Sequence, residues 1–333
     1  MTAAGAVRAA GVVAGVAALA VTLGACTSDG GGTGGGAATG GSTPVTIGAV
    51  FTTATVPIWL AEEEGIFDKY GLDVTIQQSP NFAASVPSVL NGQMEFANAA
   101  TTPFITAINE GVPVQIVAGV SVLAPVERDG NLVIVQPDSG IERPKDLEGK
   151  TVATLAVGAG PTVGVIANYL ADGGAPDGID WVVMGLTEQL PALEDGSIDA
   201  AVMAPPFSGQ AEAAGYPAGF NAYLVDGLDV IPTGFTDAVL LASDQYLADN
   251  PDVGERMRDA MIEANDYAQQ NPDRVRETLV EYIDLDPTTA ETVAIPDYNG
   301  VVDPADIQRV IDAMSGAGLI ADGMNADEIV WMP

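Results

Sequence analysis

From residue 45 onward, short runs rich in β-branched and apolar residues alternate with longer stretches whose apolar positions recur every three or four residues. The first pattern marks strands and the second amphipathic helices, so the chain spells strand–helix–strand units and a largely parallel sheet. Strands are predicted over 45–50, 72–77, 95–99, 114–120 and 132–136, then over 151–156, 180–184 and 199–203, with a later one over 238–242. Helices are predicted between them at 57–67, 85–91, 103–110, 162–172, 188–194 and 207–214. Beyond Ser243 the pattern is purely helical. Asn250-Pro251, Asn271-Pro272, Asp286-Pro287 and Asp303-Pro304 each set a capping side chain before a proline suited to a helix's first position. Val253, Met257, Ala260, Met261, Ala264 and Tyr267 form one apolar stripe, and Ile307, Val310, Ile311 and Met314 form another. Both stripes are packing surfaces.

The two strand series resemble each other. Gly71-Leu72-Asp73-Val74 has its counterpart in Gly178-Ile179-Asp180-Trp181, and Gly92-Gln93-Met94-Glu95-Phe96-Ala97 in Gly196-Ser197-Ile198-Asp199-Ala200-Ala201, at offsets of 107 and 104 residues. Two ordered matches at a nearly constant offset predict two α/β lobes. In open parallel sheets, ligands bind beyond the carboxyl ends of strands, where helix N-termini aim free N–H groups outward. Four loops then line a cleft. The first lobe offers Thr52, Thr53 and Thr55 ahead of Pro57, and Asn98, Thr101 and Thr102 ahead of Pro103; the second offers Gly158, Gly160 and Thr162 around Pro161, and Pro205 and Phe207. Gly158 and Gly160 are expected to permit close backbone approach or positive φ, the threonines to supply hydrogen bonds, and Trp59 with Phe207 to supply apolar walls. Each residue also has a structural reading, as helix cap, core aromatic or turn glycine.

The N-terminus is of a different kind. An apolar run over 9–25, preceded by the single charge Arg8, ends in Leu23-Gly24-Ala25-Cys26, and Cys26 is the only cysteine. A basic start, a short apolar stretch and small residues before the cut make a signal peptide. Its end resembles the lipobox of bacterial lipoproteins, which marks Cys26 as the lipidation site. The segment 26–44, mostly Gly, Ser, Thr and Ala, is a flexible tether reaching about 25 Å. Removing 25 residues from 333 leaves 308, enough for a sizeable core. Acids outnumber bases 45 to 11, a field that repels nucleic acid and anionic membrane surfaces. With no histidine and no free thiol after lipidation, Ser-His and Cys-His nucleophile systems are excluded. No phosphate-binding glycine loop follows a strand and no calcium loop is present, so no cofactor or metal is expected.

The block Pro57-Ile58-Trp59-Leu60-Ala61-Glu62-Glu63-Glu64-Gly65-Ile66-Phe67, continuing to Tyr70-Gly71-Leu72-Asp73-Val74, resembles the opening of nitrate/sulfonate/taurine-type (SsuA/THI5-like) ABC transporter solute-binding proteins. Asn91-Gly92-Gln93-Met94-Glu95-Phe96-Ala97, Ser139-Gly140-Ile141, Asp146-Leu147-Glu148-Gly149-Lys150 and Gly196-Ser197-Ile198-Asp199-Ala200 extend the likeness over more than half of the mature chain. The resemblance implies a type II periplasmic-binding-protein fold, two α/β lobes joined by two crossover strands, with C-terminal helices. The expected divisions are a leader over 1–25, the tether over 26–44, lobe 1 over 45–130, lobe 2 over 131–235 and a return to lobe 1 over 236–333. It implies a monomeric, lipid-anchored, extracytoplasmic carrier that closes on a small solute and delivers it to an ABC permease. The hinge is expected near 128–136 and 234–242. No Lys or Arg lies in the four loops; Arg128, by the first crossover, is the nearest, so a neutral solute and an anion held by N–H groups both remain open. Two rivals stand beside this reading: a THI5-like enzyme acting on a small pyrimidine or carboxylate, which the missing histidine opposes, and a ligand-sensing partner of a membrane receptor.

Overall fold

The computed structural model describes residues 42–79, 82–123, 130–205, 207–228, 230, 234–283 and 287–333. The leader, Cys26, most of the tether and Arg128 lie outside the described residues. Four strands come first: β1 (Thr43–Ala49), β2 (Leu72–Gln78), β3 (Phe96–Ala100) and β4 (Val114–Val122). Five follow, β5 (Leu132–Val135), β6 (Thr151–Thr154), β7 (Asp180–Val183), β8 (Ala200–Met203) and β9 (Ala218–Asn221), and then β10 (Thr236–Ser243). They form two five-stranded sheets, β2-β1-β3-β10-β4 and β7-β6-β8-β5-β9. In each sheet the first three strands are parallel and the fourth runs antiparallel to its neighbours.

The internal likeness has a physical cause. In the first sheet β1 pairs β3 at Ile47↔Phe96 and Gly48↔Ala97; in the second β6 pairs β8 at Val152↔Ala200 and Ala153↔Ala201. Just before each pairing, the repeated acid carries out the same task. The Glu95 carboxylate accepts from Thr46 N–H at 2.6 Å, and the Asp199 carboxylate accepts from Thr151 N–H at 2.9 Å. Each acid thus satisfies a strand amide where the ladder has not yet begun. Gly92 and Gly196, three residues ahead, take φ of +74° and +75°, which favours glycine at the helix-to-strand turn.

Helices cover both faces of the first sheet. The helix Pro251–Gln270 buries Met257, Ala260, Met261 and Ala264 beside Ile58, Phe96 and Leu240, while Pro304–Gly316 buries Ile307, Val310, Ile311 and Met314 on the other side with Phe104, Val239 and Leu241. Burying a side chain of Met or Leu size contributes about 1.5–3 kcal/mol, so these stripes dominate the packing of lobe 1. The second sheet has its own cores, around Val133, Val152, Val165 and Tyr169 on one face and Ile134, Ala153, Leu193 and Met203 on the other.

Several expectations are corrected. The chain enters β1 at Thr43, inside the expected tether, with Thr43 N–H donating to Gly71 O; Pro44 is tolerated because β3 joins β1 only from Ile47. The helix expected over 57–67 breaks at Gly65, whose φ of +67° ends Val56–Glu63 and begins the short turn Ile66–Lys69. Strand β9 was not expected from the pattern. Asp303 caps its helix through Ala305 N–H as foreseen, whereas Asn250 and Asn271 instead donate backward to Tyr246 O and Tyr267 O.

The chain passes between the sheets twice, from β4 to β5 and from β9 to β10, and the crossovers lie side by side: Leu123 N–H donates to Phe235 O at 2.9 Å and Gly234 N–H to Leu123 O at 3.1 Å. The segment 293–300 packs on the β4 end. A Cβ on Gly119 would sit 2.3 Å from Asn299 O, and Gly119 N–H donates to Gly300 O. Neither backbone has room to yield. Gly119→Ala should therefore cost about 1–3 kcal/mol, measured as a lowered urea midpoint with unchanged slope.

Candidate functional site

The loop 50–55 at the end of β1 is built from within. The Thr55 hydroxyl donates to Val50 O at 2.7 Å and accepts from Thr52 N–H at 3.0 Å. Asn98, midway along β3, accepts from Val50 N–H at 2.7 Å. From the C-terminal region, the buried Tyr298 hydroxyl donates to Thr53 O at 2.8 Å. Held at three points, the loop presents Thr52, Thr53 and Ala54 to the cavity described below. Thr55 and Asn98, both buried, are thus structural supports of the site. Thr101 has a comparable task, its hydroxyl donating to Thr236 O on the return strand at 2.5 Å. Thr162 is fully buried and pairs with Thr154 at the end of β6.

The loops enclose a cavity of about 250 Å³ at the junction of the lobes. Thr52, Thr53 and Ala54 form one wall, Ala204 and Pro205 after β8 face them, and the crossover residues Leu123, Gly130 and Asn131 close the back. Val122, Asp237 and the segment 293–296 complete it. Gly130 packs against Pro205, since a Cβ there would lie 2.5 Å from the proline ring. Arg276 donates to Val293 O at 3.1 Å, anchoring the C-terminal wall. The volume suits a solute of few heavy atoms, near the small end of ligand pockets.

Of the expected site residues, the structure brings Thr52, Thr53 and Pro205 to this cavity. Gly158, Gly160, Thr102, Phe207 and Trp59 are not among its lining residues. Of the two alternatives expected at Gly158 and Gly160, close approach or positive φ, neither glycine takes the second. Gly158 faces open space, whereas a Cβ on Gly160 would meet the Tyr223 hydroxyl at 2.4 Å. Close approach is real at Gly160, and the approaching group is Tyr223. Thr102 lies across from it, 96 % buried, its hydroxyl 3.6 Å from the same point and without a hydrogen-bond partner. Trp59 packs against Phe51 and Tyr282, at ring-centre distances of 4.6 and 5.0 Å, and those two rings stack on each other at 5.7 Å. Phe207, half-buried, opens the helix Phe207–Ala213.

Crossover and C-terminal residues were missed by sequence reasoning: Asn131, Asp237 and 293–296. The stretch Val293-Ala294-Ile295-Pro296 has neither period and sits in a helical region, so only its proline signals a loop. Among the described lining residues, Asp237 is the one charged side chain and none is Lys or Arg. Among the described residues, no group of acidic side chains is arranged to hold a metal ion.

Two sheets of matching strand order, joined by paired crossovers with a cavity at the junction, define a periplasmic-binding-protein fold of type II. The chain belongs to the NMT1/THI5-like family, whose model matches residues 52–275. No curated protein matches it in sequence. Among solved structures it is similar to the periplasmic aliphatic sulphonate binding protein SsuA from Escherichia coli, with a TM-score of 0.69 and 16 % identity over 86 % of this chain and 97 % of that one. The alkanesulfonate-binding protein SsuA from Xanthomonas axonopodis pv. citri, bound to MOPS, gives a TM-score of 0.66 and 18 % identity over 88 % of this chain and 99 % of that one. The periplasmic nitrate-binding protein NrtA from Synechocystis PCC 6803 gives 0.62 and 14 %, over 86 % and 85 % respectively.

Tyrosine ionisation supplies a test of the loop's support. Burial pushes the Tyr298 phenol far above its ordinary range, and burial likewise lifts Tyr246 and Tyr282 to about 12. Raised folded pKa values mean stability that is complete below the unfolded value, about 10, and lost as pH rises beyond it. Urea unfolding should thus be level from pH 8 to about 10 and weaken above that. Tyr298→Phe should cost about 0.5–1.5 kcal/mol at pH 8 and make the alkaline decline shallower. An unchanged decline would mean that the phenol ionises in the folded protein.

Proposed function

We propose that this protein is the solute-capturing component of an ABC importer, held outside the cytoplasmic membrane by a lipid on Cys26. The observation that carries the reading is the cavity itself: both lobes, the first crossover and the return strand β10 contribute to its wall, so a bound molecule bridges parts that can move apart. Its lining sets two threonines, an asparagine and the Asp237 carboxylate around the space, polar groups of the kind that orient a small solute. The folded neighbours bind aliphatic sulphonates, alkanesulfonate and nitrate. Small oxyanions and sulfonates are accordingly the first solutes to try, with pyrimidines second.

Titration calorimetry with taurine, methanesulfonate, MOPS, nitrate and a methylpyrimidine tests this directly. Stoichiometric binding of one class, without turnover, supports a carrier; consumption of the molecule supports the enzyme reading. For the solute that binds, Thr52→Ala and Thr53→Ala should each weaken affinity up to about tenfold, the loss of one hydrogen bond. Gly158→Ala, which adds a methyl group to open space, should leave affinity unchanged.

Anchoring is tested separately. Cys26→Ser should move the protein from the membrane to the soluble or precursor fraction, and mass spectrometry of the mature N-terminus should lose the acyl mass. Unchanged fractionation would rule out the lipid.

A further inference from the structure

The helix Gly160–Ala171 carries Gly160, Gly164 and Asn168 at spacings of four, on one face. The second crossover lies along that face. A Cβ on Gly164 would stand 2.7 Å from Ala222 O and 2.8 Å from the Tyr223 ring. The Asn168 amide donates to Tyr223 O at 2.8 Å and to Ala222 O at 3.3 Å. Asn221, at the end of β9, accepts from Tyr223 N–H and Leu224 N–H, both at 2.9 Å. The backbone of residues 222–223 is therefore fixed to the second lobe.

The side chain goes the other way. The Tyr223 ring, 4 % exposed, belongs to the core that holds Phe104, Ile105 and Met314 of the first lobe, with its ring centre 6.1 Å from that of Phe235 on the returning crossover. Val163, on the same helix as Gly160, joins that core. The Tyr223 hydroxyl ends against Gly160, where the N-terminus of Gly160–Ala171 faces Thr102 in the first turn of Thr101–Asn109. One side chain thus touches both lobes at the point where two helix N-termini converge.

We propose that Tyr223 is a positioning residue that sets the separation of the lobes in the solute-free protein, with Gly160 as the recess that admits its hydroxyl. Carried by lobe 2 and seated in lobe 1, the ring fixes how near the two helix N-termini come and whether the Thr102 hydroxyl is enclosed. A tyrosine whose oxygen stood clear of Gly160 would leave lobe separation indifferent to a methyl group there. The inference rests on the two-lobed carrier reading, but its test needs no solute.

The geometry supplies a rescue. A methyl on Gly160 collides with the Tyr223 oxygen at 2.4 Å, but its next neighbour, the ring carbon bearing that oxygen, is at 3.5 Å, an ordinary contact. In the full-length Cys26→Ser background, spin labels at Glu110→Cys and Glu194→Cys report the distance between lobes by pulsed electron resonance in solute-free protein. Gly160→Ala should shift the distribution to longer distances, Tyr223→Phe should leave it in place, and Gly160→Ala with Tyr223→Phe should restore it. Thermal melts check that each variant is folded. Should Gly160→Ala not fold, Tyr223→Ala, which removes the ring and adds nothing, must broaden the distribution for the proposal to stand. It is overturned if Gly160→Ala leaves the distance unchanged or if the double variant is displaced as far as the single one. A chain that binds none of the calorimetric panel can still show the rescue, so the two readings fail separately.

Discussion

Lobe 1 is completed by a strand that reaches it only after lobe 2 has been built. Strand β10 lies between β3 and β4, pairs with both, and is buried along nearly all of its length. Without it, the parallel strands and β4 have no common sheet, and the two helical layers have nothing continuous to cover. The chain must therefore leave lobe 1 and return, and the outgoing and returning segments come to lie together, bonded through Leu123 and Phe235. Paired crossovers, a cleft beside them and the sharing of site residues between distant parts of the sequence all follow from that constraint. So does a cost in folding speed, since loop-closure entropy is lost before such long-range pairing is rewarded.

The site inherits its stiffness from the same arrangement. The return strand accepts the Thr101 hydroxyl at Thr236 O, and the segment beyond the helix Pro251–Gln270 sends back Tyr298 to hold Thr53. The scarce bases serve structure as well. Arg256 donates to Gly71 O and to Thr43, Arg274 pairs with Glu63 and Glu64, and Arg276 holds the 293–296 wall. Pairs as exposed as Lys69–Glu263 contribute little to stability. The described lining of the cavity holds no base and one acid, Asp237.

Much of this was legible in the chain. The repeated Gly-x-apolar-acid sequences were readable because one physical task, a carboxylate meeting an unpaired strand amide, recurs in both lobes at Glu95 and Asp199. The C-terminal stripes were readable because a helix face repeats. Strand β9 was not, because Ala218-Gly219-Phe220-Asn221 is short, lies at a sheet edge and alternates nothing. Site residues were legible as a neighbourhood more than as individuals. A threonine in a loop can line a cavity or bond its own backbone: Thr52 borders the cavity, whereas the Thr55 hydroxyl is spent on Val50 O and Thr52 N–H.

Gly160 shows where the limit lies. A glycine at a helix N-terminus beyond a strand is the mark of a site where something comes close to the backbone, and something does. Which group arrives is set by a residue 63 positions later, on a crossover whose course depends on both sheets. The glycine signalled the constraint, and only the tertiary structure names the group, Tyr223. If the tyrosine hydroxyl occupies that recess, a solute need not, and discrimination between solutes falls to the cavity formed by Thr52, Thr53, Asn131 and Asp237. Lobe spacing and solute recognition are then assigned to different side chains, and a change in one leaves the other in place.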